Sequence, residues 1–390
     1  MSVLPATFRL LQLTGVWLPT HWHSSILRSL YQLFSIVVLF LIYCYVICGL
    51  VELAIDPAEM LNTTNDLLIL ISMITNCGKS VNVLICREKI IEILDILQRD
   101  PCQPRDEKEI AIQNEWNGII WSSTFTYGML LETTGVLGII RIMALNLPMG
   151  MLPFKEWLPY DYSNGFAYWQ AYSQELIALF ISTNLCIAYD TLVRGLIMQV
   201  TSKLYIFQHR LVTLPETLQS MWNNNEEKLE MKKLQMEKKL IADCVHFHLI
   251  ILKLANTVHT TFNLVVCLQY CLSGIIICFN VYNIAHVNLM SSGSAEIILF
   301  LCSMLYQIYM ICQAGDEITL VSGSVSEAIY NMDWTTLNHS TVESLIIMMN
   351  RTLRPIVFTS GSLITLSRNS FMKVIKLSYS MYNVLQDTSS

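Results

Sequence analysis

The sequence predicts an all-α membrane protein: seven transmembrane helices with a cytoplasmic N-terminus and an extracellular C-terminus, plus a helical cytoplasmic anchor bundle formed by helix extensions. Three observations carry that prediction. Apolar residues make up 53% of the 390 and charged residues 14%, where soluble proteins carry about 25% charged, and mean hydropathy is +0.47. The apolar residues fall in runs long enough for the roughly 20 residues that a bilayer crossing needs. Lys and Arg gather on one set of connections between those runs.

Residues 29–51 carry no charge between Arg28 and Glu52 and form the first span. The run is too long for a signal-peptide core and lacks a small-residue cleavage site after it, so it reads as a permanent anchor. Residues 257–285 and 295–319 are two further spans, separated by a polar break at 286–294. Three others each carry charge: 61–84 with Asp66 and Lys79, 118–146 with Glu132 and Arg141, and 168–198 with Glu175, Asp190 and Arg194. Such residues are expected to face other helices or water, since a lipid-exposed charge is costly. The seventh span, 363–386, is the least apolar, with Arg368, Lys373 and Lys376 crowding its first half.

With the N-terminus inside, 19 of the 24 Lys and Arg side chains lie on inner segments, and the outer loops hold only Lys155. Seven crossings then put the C-terminus outside. The expected organisation is a cytoplasmic segment at 1–29, spans one to six within 30–320 with long inner helical loops at about 85–117 and 199–256, a cytoplasmic anchor segment at 321–362, and the seventh helix at 363–387. Both inner loops show apolar residues at helical spacing among charges, so their apolar faces need partners. The sequons at Asn338 and Asn350 are expected to stay cytoplasmic, and the one at Asn62 lumenal.

The net charge of −6 gives no sign of a nucleic-acid partner. GxSxG, HExxH, GxGxxG and Walker-type patterns are absent, so no enzyme chemistry and no cofactor is expected. His246 and His248 point to different sides of a helix, and Cys267, Cys271 and Cys278 share a face without His or carboxylate partners; the cysteines read as small apolar residues rather than metal ligands. The outer loops contain no cysteine, which excludes a loop disulfide. Asp190 and Arg194, four apart, are expected to form a local ion pair. Glu132, mid-span without a basic residue within a turn, either lines a ligand cavity or hydrated path or makes an interhelical hydrogen bond.

Gly315, Asp316 and Glu317 followed by Ser322, Ala328, Tyr330 and Trp334 resemble the insect odorant receptor pattern, with Gly323 where an acidic residue is often found. Arg354, Pro355, Thr359 to Gly361, Leu366, Phe371 and the run from Lys376 to Leu385 are similar to that family's C-terminal signature, and Gly15, Trp17 and Pro19 to its N-terminal element. The resemblance implies an odorant-binding (tuning) subunit of a ligand-gated, non-selective cation channel. Its partners would be a volatile small-molecule odorant, membrane lipid and an obligate coreceptor in a heterotetramer. It implies a place in the plasma membrane of olfactory sensory neurons. It further implies that the seventh helix lines the pore, which carried over from Ser378 and Tyr379 gives Tyr382, Leu385 and Gln386 as pore-facing. The family's pocket lies in the outer half of the bundle; Met73, Thr134, Gly138, Phe180, Asn184, Tyr282 and Met304 stand at that depth. A gustatory receptor of the same superfamily is the alternative, although Asp387 replaces the Phe expected after Gln386. A G-protein-coupled chemoreceptor would need the opposite topology and its Asp-Arg-Tyr and Asn-Pro-x-x-Tyr motifs, which are missing.

Overall fold

The computed structural model describes residues 3–19, 25–57, 64–144, 152–154, 156–162, 165–223, 230–286, 294–334, 337–361 and 364–389. The long apolar runs form helices because a backbone in lipid must satisfy its hydrogen bonds within its own segment. In chain order these are α1 (Pro5–Leu13), α2 (Ser25–Ile55), α3 (Thr64–Ile85), α4 (Arg87–Gln98), α5 (Glu107–Ala144), α6 (Gly165–Val212), α7 (Leu214–Asn223), α8 (Glu230–His286), α9 (Ser294–Tyr330), α10 (His339–Thr352) and α11 (Arg368–Ser389). The fold is all-α. Its one sheet among the described residues is a two-stranded hairpin, β1 (Thr359–Ser360) against β2 (Ile364–Thr365).

Among the described residues, five helices are long and apolar enough to cross a membrane: α2, α3, α6, α8 and α9. The other two of the seven, α5 and α11, run to 38 and 22 residues and carry the charges that lower their hydropathy. At 1.5 Å per residue α6 is about 72 Å long and α8 about 86 Å, more than twice the ~30 Å hydrocarbon core. The surplus packs with α4, α7 and α10 into a helical bundle, which gives the apolar faces of the amphipathic loops their partners.

α6 is the axis of the molecule. Its apolar window is 61% buried against 33% for α2, which lies at the periphery. Residues 185–204 of α6 are buried without interruption. α1 is not a free tail: Thr7 Oγ1 meets Thr191 Oγ1 at 3.2 Å, and Leu4 lies over Gly195. The chain then turns at Gly15, and Trp17, fully buried, packs beside Phe8 and under the Arg87 guanidinium.

The structure differs from the sequence expectation at the seventh helix, which starts at Arg368 and not at 363. The hairpin occupies the preceding residues. Strands of two residues leave no periodicity for a sequence to show, and Gly361, at φ +60°, makes the turn between them. The outer connections containing Asn62 and the break at 287–293 lie outside the described residues.

Candidate ligand bundle and pore-helix junction

A column of buried polar side chains runs along α6. In its middle, Lys79 Nζ of α3 lies 2.8 Å from Asp190 Oδ1, both side chains fully buried. Tyr127 Oη of α5 and Gln307 Nε2 of α9 donate to Asp190 Oδ2 at 2.8 and 2.5 Å. One carboxylate thus ties four helices together. The expected Asp190–Arg194 pair does not form. Arg194, one turn nearer the inner end, donates instead to Ser123 Oγ of α5 and to Gln313 Oε1 of α9 at 3.1 Å. Four residues is the right spacing for a surface pair, but in a packed helix the neighbouring helices reach each side chain first.

The column continues in both directions. Asn76 Nδ2 donates to Ser182 Oγ at 2.7 Å on the outer side. Gln199 bridges Gln113 and Asn117 on the inner side, at 3.0 and 2.8 Å, and Arg210 grips Glu109 with two bonds of 2.7 and 2.8 Å. Paired in this way, charged residues are tolerated at membrane depth. Near the outer end, Glu175 Oε1 accepts from the Phe154 amide at 3.2 Å.

The loop before α6 carries a carboxyl that titrates near neutral pH. Burial pushes the Glu156 carboxyl up from 4.5 to about 7. A raised carboxyl pKa stabilises the folded loop fully below the unfolded value of 4.5, and that contribution is lost as pH rises through about 7. Hydrogen-exchange protection at 152–162, corrected for the intrinsic pH dependence, is therefore expected to decline between those values. Glu156→Gln should flatten the profile, and an unchanged decline in that variant would assign the effect elsewhere.

The seven residues expected at pocket depth do not converge as a set. Met73 belongs to the main apolar cluster, Met304 to a second one with Leu68, Ile276, Ile308 and Val374 of α11. Thr134 is buried and bonds its own helix at Leu130 O. Gly138 lies against Glu296 of α9, which pairs with Arg141 at 2.5 Å. Asn184 contacts Glu132 across α5 and α6, the interhelical alternative for that carboxyl. Phe180 is 59% exposed on the outside of the bundle, and Tyr282 is half-buried. These positions were chosen by depth along the helices, and depth does not fix the direction a side chain faces.

At the inner end of α9 the Gly315 to Ser322 stretch clamps the chain that enters α11. A Cβ on Gly315 would stand 2.5 Å from both Leu366 Cβ and Leu366 O, so only glycine admits this approach. Arg368, the first residue of α11, sits 3.2 Å from Asp316 and 3.9 Å from Glu317. Ser322 Oγ accepts from the Ile356 amide at 2.8 Å, and Thr319 Oγ1 donates to Ile356 O at 3.0 Å. α8 grips the same segment from the other side: Asn263 Oδ1 accepts from the Gly361 amide at 2.7 Å, and Tyr270 Oη donates to Ser370 O at 2.7 Å. Of the residues in the sequence signature, Gly315, Asp316, Glu317, Ser322, Gly361 and Leu366 are therefore among those that fasten the seventh helix. Composition gave no hint of this, since the contacts are mostly single hydrogen bonds to backbone.

On α11 the covered positions are Ser370, Val374 and Ser378, while Lys373, Lys376 and Leu377 are exposed on the face turned away from the chain's own bundle. Tyr382, one turn beyond Ser378, is half-buried with its ring 6.3 Å from that of Tyr379. Leu385 and Gln386 belong to the last turns of α11, and their side chains lie outside the described residues.

The 7tm Odorant receptor family model matches residues 59–379. The chain belongs to that family. This receptor is similar to Odorant receptor Or1 of Anopheles gambiae, at 23% identity over 74% of this chain and 72% of the relative. It is also similar to Odorant receptor 46a, isoform B, of Drosophila melanogaster, at 22% identity over 97% and 96%. The fold of the receptor is that of the insect olfactory receptor OR5 from Machilis hrabei. The eugenol complex superposes with a TM-score of 0.80 at 13% identity, covering 98% of this chain and 97% of that one, and the structure without eugenol gives 0.82 at 12% identity. The receptor is thus an all-α membrane protein of an odorant-sensing family.

Proposed function

We propose that the receptor is the odorant-binding subunit of a ligand-gated, non-selective cation channel that acts with an obligate coreceptor in a heterotetramer. Its ligand is a volatile small molecule held in the outer half of the bundle. Its place is the plasma membrane of olfactory sensory neurons, with the N-terminus in the cytoplasm and the four-part division of the chain given above. The observation that carries this reading is the continuity of α9. Its outer half packs Met304 and Ile308 against Val374 of α11, Tyr309 stacks edge-on to Phe371 at 5.5 Å, and its inner end holds the start of α11 through Gly315, Asp316 and Glu317. A shift of α9 on ligand binding is then transmitted to the seventh helix.

Apolar and aromatic surroundings with few polar groups suit a small volatile ligand, whose affinity comes largely from buried area. Met73, Thr134, Gly138, Asn184, Tyr282 and Met304, with Phe180 at the rim, are the proposed determinants of tuning; Tyr382, Leu385 and Gln386 are the proposed pore positions. The cytoplasmic bundle leaves Ile346, Ile347 and Leu353 exposed, apolar surface that a neighbouring subunit would cover.

The deciding measurement is a whole-cell recording from cells expressing the chain with and without an insect coreceptor, during application of a broad panel of volatiles. A cation current that depends on both odorant and coreceptor is the expected result. Current from this chain alone would remove the coreceptor requirement, and G-protein signalling without current would overturn the channel reading.

A further inference from the structure

Gln269 of α8 is 2% exposed, and neither its amide nitrogen nor its carbonyl oxygen has a hydrogen-bond partner among the described residues. A carboxamide offers two N–H donors and an acceptor with two lone pairs, and leaving both ends unpaired in an apolar interior is costly. The lipid around this apolar part of α8 supplies no partner either. No other buried side chain among the described residues leaves two polar atoms unpaired.

Gln269 lines a cavity of about 10 Å³ between α8 and α9. Its walls are two triplets with the same helical spacing: Val266, Gln269 and Tyr270 from α8 face Ile308, Ile311 and Cys312 from α9. Residues so spaced share one face of a helix, so the cavity lies on the line where the two helices meet. Val266 and Ile311 belong to the main apolar cluster, Ile308 and Cys312 to the second, which puts the cavity on the seam between the two.

We infer that this seam is a binding site for one water molecule, with Gln269 as its main ligand. The occupant must both donate and accept, since an apolar guest leaves both ends of the amide unpaired. An ion finds no opposite charge among the six lining residues. A hydroxylic molecule meets the need, because its O–H can donate to Oε1 while the same oxygen accepts from the neighbouring Nε2–H. A space of this size takes one water and no larger alcohol. Cys312 Sγ, on the opposite wall, adds a weak third partner, in keeping with the roughly three that an internal water makes. Tyr270, next to Gln269, donates to Ser370 O in the first turn of α11 at 2.7 Å, and Cys312 packs in the cluster that includes Val374. The water therefore stands where α8, α9 and α11 meet. A water-bridged contact can be remade after a shift, whereas interlocked apolar side chains resist one. In the channel reading proposed above this is a slip plane for α9; the site itself does not rest on that reading.

The test is X-ray radiolytic footprinting of the full-length receptor in lipid nanodiscs without odorant, with the oxidised residues located by mass spectrometry. Hydroxyl radicals made from a bound water react with the side chains it touches, so a buried sulfur reports water beside it. Cys312 and Met310 are a matched pair, 0 and 1% exposed, two residues apart and so on opposite sides of α9. Met310 packs with Tyr127 and Ile187 in an apolar cluster away from the cavity. Oxidation of Cys312 with protection of Met310 is the expected result. Gln269→Leu removes both polar ends, and Ile311→Phe fills the space while keeping the amide; loss of Cys312 oxidation is expected in each, with Met310 still protected. Cys312 as protected as Met310 in the unaltered chain would refute the site, a result that does not depend on either variant folding. Cys312 oxidation that persists in Gln269→Leu would give the water to another partner and overturn the assignment. The footprint is read without current, so it stands apart from the channel experiment.

Discussion

Lys79→Met is expected to cost about 3–5 kcal/mol, because it leaves the Asp190 carboxylate buried among four helices without its counter-ion. Asp190→Asn should cost a similar amount by stranding the ammonium. Both side chains are fully buried and no solvent route compensates either one. The double variant Lys79→Met with Asp190→Leu removes both charges and should recover more than half of the single-variant loss. Full recovery is not expected, since the Tyr127 hydroxyl and the Gln307 amide lose their acceptor, at about 1–3 kcal/mol for each buried group left unpaired. Thermal unfolding of the purified chain in detergent reads this directly. Single-variant losses that simply add in the double variant would show that the two residues act independently.

Gly315→Val should abolish odorant-evoked current while leaving the transmembrane bundle folded. The new side chain would meet Leu366 at a backbone oxygen, which no rotamer change can move aside, and overpacking of this kind costs about 1–3 kcal/mol. The hairpin must shift away from α9, taking Arg368 from Asp316 and Glu317. Leu366→Gly removes the Cβ contact and not the oxygen, so it should fail to rescue. Gly323→Ala, two turns further along α9 with nothing within 4 Å of the added methyl, is the control and should leave current intact or raise stability slightly. Normal current from Gly315→Val with verified surface expression would show that the close approach is dispensable for gating.

The spans and the inner helices were legible because each is a local pattern: apolar length for α2, α8 and α9, amphipathic spacing for α4 and for the inner part of α8. What depended on direction or on distant partners was not. The Asp190 charge is satisfied by a residue 111 positions away, and the nearer arginine was the wrong partner. Phe180, chosen by depth along its helix, faces outward. The hairpin at 359–365 is held by Asn263 and His259, and the chain leading into it, at Ile356, by Ser322, through hydrogen bonds invisible to hydropathy. The family signature located this junction without explaining it; the geometry at Gly315 supplies the reason.

The Lys79–Asp190 bond also sets an order of events during synthesis. The helix bearing Lys79 enters the membrane while Asp190 is still 111 residues from being made. At about 5–20 residues per second that interval is roughly 6–22 s, in which an ammonium group sits at bilayer depth with no opposite charge from this chain. The nascent α3 must therefore wait beside the translocon, or shielded by another membrane protein, until α6 emerges. Slowing translation between the two helices should increase degradation of the wild-type receptor more than that of the charge-free double variant.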